Sequence, residues 1–165
     1  MKSVFLIRHA KSSWSNPAQD DFERPLNERG LGDLELASAR LTAHGFNPDR
    51  VFTSPAVRAR STAIGLMQGC DIPRDRLEEA PRLYLAGLTD WLTTLQNVEN
   101  DFSMVAAVGH NPGITSLVEM LTGQSIGNLP TCGIALIEFD IPHWKDLGAS
   151  PGNLAWLDYP KLHNR

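Results

Sequence analysis

Short, wholly apolar runs alternate along this chain with stretches whose apolar residues recur at helical spacing. Val4 to Ile7 is such a run, partly β-branched, and it predicts a buried central strand. Residues 11 to 27 are polar and carry Pro17 and Pro25, which predicts a loop. From Asn27 or Glu28 to about His44, the spacing of Leu31, Leu34, Ala37 or Ser38 and Leu41 predicts a helix that Gly45 stops. A turn from Pro48 then leads into a strand with Arg50 to Thr53 as its body. A second helix is predicted from Pro55 to about Gln68, with Ser54 as its N-cap and Pro55 as its first residue.

The charged, proline-punctuated stretch from Asp71 to Arg82 leaves room for a short strand around Glu79. Leu88 to Asn97 predicts a third helix with Thr89 as a possible cap. Ser103 to Val108 predicts a second buried strand, followed by a Gly109–Gly113 loop and a helix from Ile114 to Leu121. Ala135 to Phe139 and Leu154 to Asp158 predict strands with no long helix between them, hence an antiparallel edge pair. The expected fold is a three-layer α/β/α sandwich whose central sheet is mostly parallel, with an antiparallel edge. Ligands in such folds sit beyond the carboxyl ends of the strands. Arg8-His9, Thr53-Ser54 and Gly109-His110 each follow a strand directly, so three remote segments should meet at one rim.

With 165 residues and neither repeat nor linker, a single domain spanning 1–165 is expected. The net charge of −4 gives no reason to expect nucleic acid or an anionic membrane as partner. An anion site would need its positive charge gathered locally. Cys70 and Cys132 belong to no CxxC or Cys/His cluster and read as free thiols, which suits a reducing compartment. The N-terminus reaches a charge at Arg8 too soon for a secretory signal, and no apolar run is long enough to span a bilayer. A cytoplasmic location is the expectation.

The chemistry gathers at the predicted rim. Arg8-His9 and Gly109-His110 are two histidines leaving two buried strands at equivalent points, a pattern harder to dismiss than one surface histidine. Arg58 falls in the first turn of its helix, where the helix dipole disfavours a cation. A bound anion would remove that conflict; solvent or a surface carboxylate is the plainer alternative. Arg60 lies on another face and reads as the plain case, in solvent or paired with a surface carboxylate. Trp91, Trp144 and Trp156 read as packing residues, and His44 and His163 as surface residues.

Four segments resemble, in order, the motifs of the histidine phosphatase (phosphoglycerate-mutase-like) superfamily. Leu6-Ile7-Arg8-His9-Ala10 is similar to its RHG signature, with alanine for glycine. Arg24-Pro25-Leu26-Asn27-Glu28-Arg29-Gly30 is similar to its PLT..G segment. Ser54-Pro55-Ala56-Val57-Arg58-Ala59 with Thr62-Ala63 matches SP..RA..TA, and Val108-Gly109-His110-Asn111-Pro112 matches the late GH segment. Only roughly 50 residues separate Arg58 from His110, too few for the helical insertion of larger relatives, so the resemblance is to the SixA-type phosphohistidine phosphatase branch.

The resemblance implies a phosphatase in which His9 is the nucleophile and forms a phosphohistidine intermediate, with no cofactor and no metal. It implies that Arg8, Arg58 and His110 are catalytic and bind the phosphoryl group. Arg24 is either a third cation at the pocket mouth or half of a structural ion pair. The implied partner is a phosphorylated protein carrying phosphohistidine, or a small phosphorylated metabolite; a non-catalytic phosphoprotein-binding module is the remaining alternative. Many relatives carry an acidic proton donor where this chain has Arg82, and Glu79 is the neighbouring candidate, against a plain solvated charge. A missing acid favours a P–N substrate, whose imidazole can leave with its proton, over an unactivated ester. Trp14, Lys11 and Ser12 carry no assigned role; lining the pocket entrance is the alternative to a plain reading of Trp14.

Overall fold

The computed structural model describes residues 1–163. Ten regular elements follow one another as β1 (Lys2–Arg8), α1 (Glu28–Ala43), β2 (Arg50–Thr53), α2 (Val57–Gly69), β3 (Leu77–Glu79), α3 (Leu88–Gln96), β4 (Met104–Gly109), α4 (Gly113–Thr122), β5 (Ile134–Phe139) and β6 (Asn153–Asp158). They form one six-stranded sheet in the order β3-β2-β4-β1-β5-β6. The first four strands of that order are mutually parallel, and β5 and β6 run antiparallel at one edge. This is the expected mixed α/β sheet.

Side chains alternate across a strand, so a strand that is apolar throughout must be covered on both faces. In β1, Phe5 and Ile7 join a core with Leu34, Leu41, Leu66 and Met67 of α1 and α2. Val4 and Leu6 face the opposite core, with Trp91, Ile114, Leu117 and Leu121 of α3 and α4. The sheet is therefore the middle of three layers. Trp91 and Trp144 are fully buried, as packing residues should be. Trp156, half-buried, packs at the edge of the first of these cores, and its ring stacks on exposed His44 with centroids 3.6 Å apart. His163, also at the surface, meets Asp158 at 2.6 Å. Among the described residues, no helix is long and apolar enough to cross a membrane.

Helix boundaries depart from the sequence expectations at three places. Asn27 caps α1 as anticipated, its side chain accepting from the Gly30 N–H at 2.9 Å. The buried stripe of α1 is shifted, however: Leu31 is 57% exposed, and Gly30 takes the inward place against the backbone of Lys11. α2 begins at Val57, after an extended Ala56, so Pro55 lies outside it. Ser54 is not its N-cap, because its hydroxyl is engaged with His110. In α3, Thr89 lies inside the helix and Gly87 takes the N-cap position without a side-chain bond.

Register carries the fold to its rim. β1 pairs with β4 so that Arg8 lies opposite Gly109, and β2 pairs with β4 so that Thr53 lies opposite Val108. The residues that follow, His9, His110 and Ser54, therefore emerge side by side.

Two glycine substitutions check the packing. A Cβ on Gly113 would stand 1.9 Å from the Ala86 carbonyl oxygen, whereas one on helical Gly32 meets nothing within 4 Å. Gly113→Ala is expected to destabilise by about 1–3 kcal/mol, lowering Tm by roughly 3–10 °C. Gly32→Ala should leave Tm unchanged or raise it, and thermal melts of both variants read the difference.

Candidate functional site

His9 is held by its backbone before its ring does anything. Its N–H donates to the Gly109 carbonyl at 3.1 Å, and its own carbonyl accepts from Cys132 N–H at 3.0 Å. The next residue, Ala10, donates its N–H to Thr62 Oγ1 on α2 at 2.9 Å, and Thr62 donates in turn to the Arg58 carbonyl. The His9 ring then turns Nδ1 to the Ala10 carbonyl oxygen, 2.8 Å away. A carbonyl can only accept, so Nδ1 carries the proton and Nε2 keeps its lone pair.

His110 stands beside it, with ring centroids 5.3 Å apart. Its Nε2 meets Ser54 Oγ at 2.7 Å, and the edge of Tyr84 approaches its ring. Arg58, 3% exposed, projects from the first turn of α2. The conflict with the helix dipole is met by an anion the protein supplies itself. Asp21 accepts from Arg58 Nη1 through its main-chain oxygen at 2.7 Å and from Nη2 through its carboxylate at 3.0 Å. The same carboxylate takes the Tyr84 hydroxyl at 2.7 Å and Arg24 Nη1 at 2.9 Å. Arg24 also donates to Ser12 Oγ and to the Ser13 carbonyl, and lies over the Trp14 ring at 3.3 Å. Arg24 is thus ion-paired to Asp21 and also lines the cavity.

Arg8, His9, Arg24, Arg58 and His110 converge on a cavity of about 230 Å³, rimmed by Lys11, Ser12, Trp14, Leu85, Asn111 and Thr131. None of the described lining residues is a carboxylate. Among the described residues, six buried side-chain nitrogens have no hydrogen-bond partner, and three of these are Arg8 Nε, Arg58 Nε and His110 Nδ1. Orphaned buried polar groups are costly, so their concentration here marks a site arranged for an oxygen-rich ligand.

The field of the cavity sets its protonation. Burial pushes His9 down to about 4; the Ala10 carbonyl opposes this, while Arg58, Arg8 and Arg24 add to it. His110 is pushed down to about 3 by burial first, then by His9 and Arg58. Burial alone would raise the Asp21 carboxyl, but hydrogen bonds from Tyr84, Arg24 and Arg58 outweigh it and hold the group at about 2. At neutral pH both rings are neutral and Asp21 is ionised. Burial, and next Arg58, lower the pKa of Arg8 too.

Several candidates stand elsewhere. Glu79 pairs with Arg60 at 2.8 Å on the surface and is not among the described residues that line the cavity, so both take the plain surface role. Arg82 is exposed, 4.0 Å from Asp90. Cys70 is half-buried and Cys132 buried, both as free thiols. Sequence reasoning missed Asp21, Tyr84 and the true role of Ser54. For Asp21 the available signal was its position three residues before Arg24, one turn away.

Residues 4–84 match the family model of the histidine phosphatase superfamily, branch 1. A protein of Mycobacterium tuberculosis, named as uncharacterized, is 31% identical over 163 residues, covering 93% of this chain and 98% of its own. A structure named as a SixA protein of Agrobacterium tumefaciens superposes with TM-score 0.82 at 25% identity, over 96% of this chain and 98% of that one. The protein histidine phosphatase SixA complexed with tungstate superposes with TM-score 0.79 at 25% identity, over 94% of this chain and 95% of its own.

The chain belongs to the histidine phosphatase superfamily, in its SixA-like branch. As a histidine phosphatase it is a hydrolase of phosphorylated compounds, built on the phosphoglycerate-mutase-like fold. The alanine at position 10, where the resemblance leads one to expect glycine, leaves the carbonyl that holds His9 in place.

Titration tests this account of the histidine phosphatase. Both histidines bind protons less readily folded than unfolded, so their neutral burial is uncompromised above pH 6.5 and costs stability as pH falls towards 4. Urea denaturation at pH 7 and pH 5 should show the wild type losing about 1–2 kcal/mol per histidine. The His9→Asn/His110→Asn double variant should lose much less across the same interval.

Proposed function

We propose that this histidine phosphatase hydrolyses phosphohistidine on a protein, without a metal, through a covalent phosphoryl intermediate on His9 Nε2. The observation that carries this reading is the Nδ1–H to Ala10 carbonyl bond, which leaves the Nε2 lone pair free inside a cluster of guanidinium groups. A neutral imidazole needs no separate base to become nucleophilic.

In the first step Nε2 attacks phosphorus, the new P–N bond forms, and the bond to the substrate nitrogen breaks. The departing imidazole takes the electron pair of that bond onto the nitrogen released and leaves neutral when its other ring nitrogen already carries a proton. Arg8 and Arg58 hold the phosphoryl oxygens with planar, multidentate donors. With the Ser54 hydroxyl donating to His110 Nε2, the His110 proton sits on Nδ1, the partnerless nitrogen, and is donated to the same oxygens. Such preorganised donors stabilise charge that spreads over the oxygens in the transition state. Water then attacks the phosphorus on His9, the P–Nε2 bond breaks with its electron pair returning to Nε2, the water's proton passes to solvent or phosphate, and inorganic phosphate leaves.

The choice of a P–N bond rests on the missing acid. Alkoxide leaving groups need a proton, and the carboxyl that pairs with the site's arginines, that of Asp21, is held ionised with a pKa of about 2. A phosphohistidine leaving group has no such need. The guanidinium groups supply the positive charge that a metal would otherwise bring.

Rapid quenching after mixing with a phosphohistidine protein should yield an acid-labile phosphoenzyme on His9. His9→Ala should form none and lose turnover while keeping the wild-type circular dichroism spectrum. Arg58→Lys should lower kcat by about 10²–10³, vanadate should compete with substrate, and EDTA should leave the rate unchanged. Faster hydrolysis of sugar or nucleotide esters than of phosphohistidine would overturn the substrate assignment. A His9→Ala protein with full activity would overturn the mechanism.

A further inference from the structure

The mouth of the cavity carries two features that the phosphoryl chemistry does not use. Trp14 is 72% exposed and Leu85 is 57% exposed, and both line the cavity that the cationic cluster encloses. Trp14 has one partner in the fold, the Arg24 guanidinium on its ring, and with Leu85 it leaves an apolar patch open to water at the cavity mouth.

Leu85 stands there under a backbone constraint as well. Its φ is +50°, in the left-handed region that a leucine rarely adopts. Both sides of it are pinned. Leu83 is fully buried, and Tyr84 is tied by its hydroxyl to Asp21. Ala86 is buried, with its carbonyl packed closely against Gly113. The segment is thus anchored at three residues, and the one between them is turned outward, strained and apolar. Glycine or asparagine would suit the backbone better, and a polar residue would suit the solvent better. Strain kept at the edge of a site is a sign of use there.

We propose that Leu85, with Trp14 beside it, forms an apolar rim that docks against the surface of the phosphorylated protein around its phosphohistidine, making Leu85 a specificity-determining residue. This rests on the phosphohistidine reading above. Two complementarities favour a protein over a small metabolite. The dianionic phosphoryl group matches the cationic interior, and an apolar rim facing outward gains only from another apolar face, which a sugar or nucleotide phosphate does not offer. The polar centre and apolar rim together let the enzyme accept a phosphorylated side chain and read what surrounds it.

The test compares two substrates across three proteins: wild type, Leu85→Asn, which suits the backbone but removes the apolar group, and Leu85→Met, which keeps one. The substrates are a folded protein carrying phosphohistidine and the small compound phosphoimidazole, which has the same P–N bond and no surroundings. For Leu85→Asn, kcat/KM on the protein should fall about tenfold relative to phosphoimidazole, through KM. Leu85→Met should recover most of the loss, and Leu85→Asn should melt at or above the wild-type temperature. Equal losses on both substrates, no loss on either, or a lowered Tm with parallel losses would overturn the proposal. A wild type that cleaves phosphoimidazole but not the protein would overturn it too. A wild type inactive on both substrates would instead sink the phosphohistidine reading, and this proposal with it.

Discussion

The contact between His9 Nδ1 and the carbonyl of its own neighbour, Ala10, is the constraint around which the rim is organised. It decides which ring nitrogen is bare, and it does so with a group that cannot titrate. That contact is only as good as the backbone beneath it. The β1–β4 register, the Cys132 N–H on the His9 carbonyl and the Thr62 hydroxyl on the Ala10 N–H all fix the same two residues. A loop alone would leave the ring free to turn; here a strand end, a helix and a second loop hold it together. The His9 ring is therefore positioned by main-chain hydrogen bonding, which tolerates changes of side chain, as alanine at position 10 illustrates.

The second theme is charge held against expectation. The molecule is net acidic, yet Arg8, Arg24 and Arg58 crowd one cavity. Asp21 makes this tolerable: a single carboxylate and its main-chain oxygen answer two of the three guanidinium groups, with the Tyr84 hydroxyl completing its coordination. The cations are thus fixed in direction before any ligand arrives, which lowers the reorganisation needed when one does. Burial first, and then the residual positive field, keep both imidazoles neutral.

Much of this was readable from residue order. β1 and β4 announce themselves as apolar runs because both faces of a central strand are covered, and the Arg-His and Gly-His pairs follow them directly. What could not be read depends on contacts across long stretches of chain. Asp21 and Arg58 are 37 positions apart, and nothing in a polar loop marks which of its acids will turn inward. Ser54-Pro55 has the composition of a helix start, and the tertiary contact with His110 overrode that local preference. Leu31 fits the α1 periodicity, but the close approach of Lys11 gave the inward place to Gly30. The left-handed backbone at Leu85 is equally silent in sequence, since leucine is the wrong residue to suggest it.

Cys132 lies directly under this arrangement, donating its N–H to the carbonyl of His9 while its own thiol is fully buried and pushed up to about 12, by burial first. A thiol so reluctant to ionise is a poor target for peroxide or alkylating agents, which react with the thiolate. The proposed nucleophile, an imidazole, has no comparable oxidation ladder. Dephosphorylation built on this chemistry would persist through oxidative stress that switches off phosphatases relying on an activated cysteine.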